Sequence, residues 1–174
     1  MSAEVVLSKD DLRAVTGFAA ASAETVLSIF EADQPDDSRP RDAIAAAWAF
    51  ARGGERGKAL RDTAWAALKA AQEAHTAAGR EAARAAMAAA GAAYLHPLAK
   101  ATQVKHILGA GAHAARATEL AAGESATDHL EETVRRATPG VVDVLTRYPP
   151  APDGGGRLGE LTRLLDTALR TRPD

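Results

Sequence analysis

Between residues 38 and 123 the chain is largely alanine, interrupted at intervals by single large or polar residues. Alanine has the highest helix propensity of any residue, so this stretch is expected to fold as helices. Its small side chain also lets helices approach closely, toward the lower end of the usual interaxial range of about 8–10 Å. Leu, Ile, Val and Phe together make up fewer than a fifth of the 174 residues. A share that low marks disorder only when the net charge is high. Here the formal net charge is -2, and alanine supplies the missing apolar area. The expected object is a helical bundle with a thin core. Its length suits one domain.

Helix boundaries follow from caps and breakers. Ser8 followed by Lys9-Asp10-Asp11 offers a hydroxyl cap with acids in the first turn. From there Leu12, Val15, Ala19, Ala23, Val26 and Phe30 keep a 3.6-residue period, which predicts one helix to about residue 32. Ser38 caps the second helix with Pro40 in its first turn, and Gly53-Gly54 stop it. A third helix is expected over about residues 56–78, ended by Gly79, with His75 on its apolar side as a satisfied core histidine. Pro97 removes a backbone donor and divides the next segment into helices at about residues 81–95 and 98–121. Thr127 and Pro139 open two short helices. The Pro/Gly-rich stretch 148–156 reads as a linker before a last helix, where Asp166 and Arg170 are spaced to pair. No β-alternation is present. The expectation is an all-α, single-domain bundle of about six to eight helices without a sheet: a core over residues 8–147, the linker at 148–156 and a C-terminal helix at 157–172.

Composition also excludes function classes. A near-neutral charge argues against nucleic acid as the main partner, which calls for a basic face or stripe. Without cysteine there are no disulfides and no thiolate metal sites. Residues 1–7 lack the basic start and apolar core of a signal peptide, and the alanine windows are short and broken by Arg84. A cytoplasmic protein with no membrane contact is expected. The Gly53-to-Ala59 stretch imitates a phosphate loop, but Arg52 stands where a glycine is needed and Ala59 where Ser or Thr must hold magnesium. Of the five histidines, no two have chelating spacing; His106 and His113 lie about 10 Å apart along a helix axis. No nucleophile stands beside a base, and no pair of carboxylates lies on a helix face away from caps. Neither catalytic residues, cofactor nor metal are expected.

Two groups of polar residues stand out against the alanine. On a helix starting after Pro97, His96, Lys100, Gln103 and Ala110 share a broad face, with His106 and His113 at its edge. Such a stripe is a solvated face, a buried hydrogen-bonded network or the wall of a ligand site. Arg39 and Arg41 sit among Asp36, Asp37 and Asp42 at the start of the second helix. They either pair with acids or form a patch for a partner. Pro40, Trp48 and His75 are read as structural, and Trp48 and Trp65 as core anchors.

Several segments resemble a known family. These are Asp36-Asp37-Ser38-Arg39-Pro40-Arg41-Asp42-Ala43-Ile44, Trp48-Ala49-Phe50-Ala51-Arg52-Gly53, and Ala92-Ala93-Tyr94-Leu95-His96-Pro97 with Gln103-Val104-Lys105-His106-Ile107-Leu108-Gly109. Over roughly residues 12–122 the chain resembles the bacterial immunity protein family with the immunity-protein-five-like domain. That resemblance implies an all-helical cytosolic protein of polymorphic toxin systems, which binds and neutralises a cognate toxin. It carries over no catalytic residues; Arg39, Arg41, His96, Gln103 and His106, at positions matching its motifs, become candidate contacts, and Lys100 joins them from the polar stripe. Two other readings stand beside it. One is a helical small-molecule-binding protein or enzyme using His96, Lys100, Gln103 and His106. The other is a homo-oligomer packed through an alanine face.

Overall fold

The computed structural model describes residues 3–123 and 125–173, and these form an all-α bundle with nine α-helices and no sheet. They are α1 (Lys9–Glu24), α2 (Leu27–Asp33), α3 (Arg39–Ala51), α4 (Lys58–Glu73), α5 (Ala77–Gly91), α6 (Val104–Ala122), α7 (Thr127–Arg136), α8 (Pro139–Thr146) and α9 (Gly156–Arg170). Helix α5 is the hub: it packs against α1, α2, α3, α4 and α6. Alanine makes that possible, since Ala82, Ala83, Ala85, Ala86, Ala89 and Ala90 are all buried and none holds a neighbour at a distance. Large side chains fill only the spaces between, among them Phe30, Phe50, Ile107 and Leu108. Helix α6 carries the same logic further. A Cβ on Gly111 would lie 3.2 Å from both the Leu165 and Thr133 side chains, so glycine here lets α7 and α9 settle on α6.

The first helix is shorter than expected. It ends at Glu24, and α2 begins at Leu27 after Val26 leaves helical geometry. Three hydroxyls, on Thr16, Ser22 and Thr25, donate to carbonyls three or four residues back, a pattern that bends helices. The break lets Val26 and Phe30 both enter the core. Ser8 does cap α1 as expected, through a reciprocal capping box with Asp11.

Helix α4 stops at Glu73, five residues earlier than its pattern suggests, and the cause lies at the end of α2. The Asp33 carboxylate accepts hydrogen bonds from the His75 N–H (3.0 Å), the Thr76 N–H (3.1 Å) and the Thr76 hydroxyl (3.2 Å). Thr76 in turn caps α5 by accepting from the Gly79 N–H. Gly79 therefore begins a helix rather than ending one. A Cβ there would collide with the Asp33 carboxylate, which is why the position is glycine. His75 is corrected as well: it stands in the α4–α5 connection with its side chain exposed, its Nδ1 3.5 Å from Asp33.

Pro97 has a larger effect than a kink. Helix α5 passes into a short 3-10 turn (Ala92–Tyr94), the chain then runs extended, and α6 starts only at Val104 after a second 3-10 turn (Ala101–Gln103). The extended residues find partners far away in sequence. The Val5 N–H donates to the Pro97 carbonyl at 2.6 Å and the Ala99 N–H to the Ala3 carbonyl at 3.0 Å. The buried Tyr148 hydroxyl donates to the His96 carbonyl at 2.7 Å; burial pushes its pKa up to about 12, so it remains a donor.

The Pro/Gly stretch is irregular, as its composition demands, and it is pinned throughout. Arg170 donates to the carbonyls of Tyr148 and Pro149, and Arg163 to those of Pro152 and Gly154. The buried Asp166 accepts the Ala151 N–H and pairs with Arg170 at 2.7 Å. Thus α9 is fastened to α6, α7 and α8 by its leucines and to its own leader by polar bonds.

Candidate functional site

Helices α4, α5, α6 and α9 do not close completely, and the groove they leave has a volume of about 540 Å³. Small residues make its floor: Ala88 and Gly91 at the end of α5, and Gly109 of α6. Trp65 and Leu68 of α4 form one wall, and Leu158 and Thr162 of α9 the other. Each pair is three or four residues apart, so each wall is one helix face. Lys105, His106 and His113 of α6 bring the polar groups.

Trp65 is the outstanding feature of the rim. Its exposure is 70 %, so it is no core anchor. The phase of α4 explains this, because Leu60, Ala67, Ala70 and Ala71 set the buried face and Trp65 falls outside it. Trp48, in contrast, is half-buried against the core, with the Arg52 guanidinium stacked 4.7 Å from its ring. Its Nε1 has no hydrogen-bond partner among the described residues.

The histidines of the groove differ in electrostatics. His106 is half-buried, and burial holds its pKa below the ordinary histidine value. The charge of Lys105 pushes the same way, while the Gly91 backbone opposes both. His106 therefore lies in the groove as a neutral ring at neutral pH. His113 lies 2.7 Å from Glu81 through its Nδ1, and Arg84 holds the other Glu81 oxygen at 2.8 Å. Burial alone would raise the Glu81 pKa, but the His113 hydrogen bond and the two neighbouring charges outweigh it and lower it. The result is a satisfied polar ladder behind an apolar floor.

The six candidate contact residues do not form one site. His106 lines the groove, whereas His96, Lys100 and Gln103 precede α6 and share no helix face with it. The Gln103 side chain accepts the His96 N–H at 3.0 Å, and the His96 Nδ1 accepts the Leu98 N–H, so both brace the extended crossing. Lys100 is exposed. Away from the groove lining, Arg39 bridges Asp37 and Glu73, each at 2.6 Å, and Arg41 pairs with Glu31 at 2.6 Å. Those bonds hold Asp37 below the ordinary carboxylate range and raise the pKa of both arginines. Pro40 is buried in the first turn of α3. Sequence reasoning missed Trp65 as a rim residue, Asp33 as a buried cap and the His113–Glu81 pair. Only the first had a local signal, the phase of α4.

Among the described residues no three His, Asp or Glu side chains gather as a metal site, and no helix is long and apolar enough to cross a membrane. A family model described as Imm-5 like putative immunity protein matches residues 6–139. The chain belongs to that family. The matched region runs from before α1 to the first residue of α8, so α9, one wall of the groove, lies outside it. No curated protein and no solved structure matches the chain.

Proposed function

We propose that this protein binds and neutralises a cognate bacterial toxin in the cytoplasm, acting by occupancy rather than by catalysis. Family membership across residues 6–139 carries the reading. An immunity protein needs a rigid frame and a surface that another protein can cover. A closely packed bundle that leaves an aromatic side chain exposed beside an apolar groove supplies both. The test is co-expression with a toxin-like protein encoded beside the gene. Cells expressing both are expected to survive and the two proteins to purify together. Continued killing with no co-purification removes the proposal.

One observation favours a second reading, a small-molecule site. The groove volume of about 540 Å³ falls in the range of about 300–1,000 Å³ typical of ligand pockets, and His106 offers a polar contact in it. This reading expects a stoichiometric ligand in native mass spectra of the purified protein. Spectra showing the bare chain count against it.

A further inference from the structure

The groove has a charge pattern that says what it accepts. Around Trp65, on the same face of α4, stand Arg61 and Lys69, four residues to either side and both exposed. Lys105 enters from α6. None of the groove-lining residues is a carboxylate. The acids on the surrounding helices are already engaged: Asp62 with Lys58 at 2.6 Å, Glu81 with His113 and Arg84, and Glu160 with Arg157 at 3.1 Å. Asp153 lies beyond Lys105, in the adjoining recess. In a chain of formal net charge -2, an apolar groove with one cation in its lining and two more flanking its rim tryptophan, none of the three ion-paired among the described residues, runs against the overall balance.

We propose that this groove is a docking site for an acidic segment of a partner protein, one that inserts a large apolar side chain beside Trp65 and sets carboxylates against Arg61, Lys69 and Lys105. The identity of that partner as a toxin rests on the functional reading above; the chemistry of the segment does not. A second copy of this chain is a poor occupant. A two-fold contact through the groove would set the three cations against their own copies. An acidic segment instead gains charge complementarity at the rim while its apolar anchor leaves water on the floor.

The experiment uses the full chain carrying Trp48→Phe, so that Trp65 is the sole tryptophan, with helical content checked by circular dichroism. Two synthetic peptides are titrated with identical apolar residues, one flanked by glutamate and one by lysine. The glutamate peptide is expected to shift Trp65 emission saturably, with affinity falling as salt rises. Combining Arg61→Glu, Lys69→Glu and Lys105→Glu, all exposed positions, is expected to weaken that peptide about tenfold or more. The proposal is overturned by an absent response, by equal binding of both peptides, by indifference to charge reversal, or by a short oligonucleotide competing as well as the glutamate peptide. A second arm repeats the toxin co-expression with the wild type, the charge-reversed variant and Trp65→Ala. If the wild type protects and the variants do not, the groove is the toxin site. If the variants protect equally well, the toxin does not dock in the groove, the immunity reading stands, and the peptide titration decides whether the groove takes an acidic segment of another partner. If the wild type fails to protect, the immunity reading falls and the peptide titration alone decides the groove.

Discussion

Asp33 shows how much one side chain settles here. It closes α2, caps the start of α5 through the backbone of His75 and Thr76, and demands glycine at position 79. Its carboxylate is nearly inaccessible, and removing it takes away the acceptor shared by the His75 and Thr76 N–H groups at the head of α5. Asp33→Ala is expected to destabilise the protein by about 1–2 kcal/mol in urea unfolding. A loss within about 0.5 kcal/mol, usual for surface substitutions, contradicts that role. His106 makes a second case, through pH. Its folded pKa lies below the ordinary value, as does that of His129, chiefly because of burial in both. The unfolded chain therefore takes up these protons first, and the stability they carry is present above about pH 6.5 and lost as pH falls through the folded values. Asp11, Asp37, Glu81 and Glu119 also have lowered values, so their contribution is lost further down, through the carboxylate range. The melting temperature is expected to fall in two stages on acidification, with His106→Gln flattening the first. A melting temperature constant from about pH 7 to 5 would refute the histidine stage.

At the scale of elements, the connections carry as much specificity as the helices. The crossing between α5 and α6 is held by Tyr148 from beyond α8, by Gln103 from the turn before α6, and by residues 3–5. Tyr148→Phe keeps the ring and deletes one hydrogen bond to the His96 carbonyl. It is expected to cost about 1 kcal/mol and to speed amide exchange at Leu98 and Ala99 more than within α5. Uniform exchange across the chain would place the effect elsewhere. The periodicity of α4 was legible in the residues themselves: Leu60, Ala67 and Ala71 define one face, and Trp65 lies off it. The ends of that helix were not legible, because the group that ends it, Asp33, lies 42 residues from His75. Local propensity has no access to a partner that distant. The same holds for Pro97, whose effect depends on whether tertiary partners exist for the backbone it frees.

For the whole molecule, α9 is the informative part. It lies outside the family match, yet Leu161, Leu165 and Leu169 are fully buried and its Leu158 and Thr162 wall the groove. Burying one leucine is worth about 1.5–3 kcal/mol, against a total stability of about 5–15 kcal/mol for a typical domain. A chain ending at Pro150 is therefore expected to lose cooperative unfolding or aggregate, where the full chain stays folded and dispersed. Cooperative melting of the shortened chain at an unchanged temperature would show α9 to be an appendage.

Alanine content, caps and breakers were enough to establish an all-helical chain, the face that most helices bury, and the family resemblance carried by the residues that interrupt the alanine. These are local properties, set by propensity and by neighbours three or four residues away. Tertiary structure alone decided which polar residues meet. It separated His96, Lys100 and Gln103 from His106, drew Arg39 into ion pairs, brought Asp33 to the head of α5 and opened a groove under Trp65. Alanine helices have few side chains to dictate a partner, so the rare large residues and distant hydrogen bonds choose among many close packings. The alanine made the frame, and the contacts across it made the site.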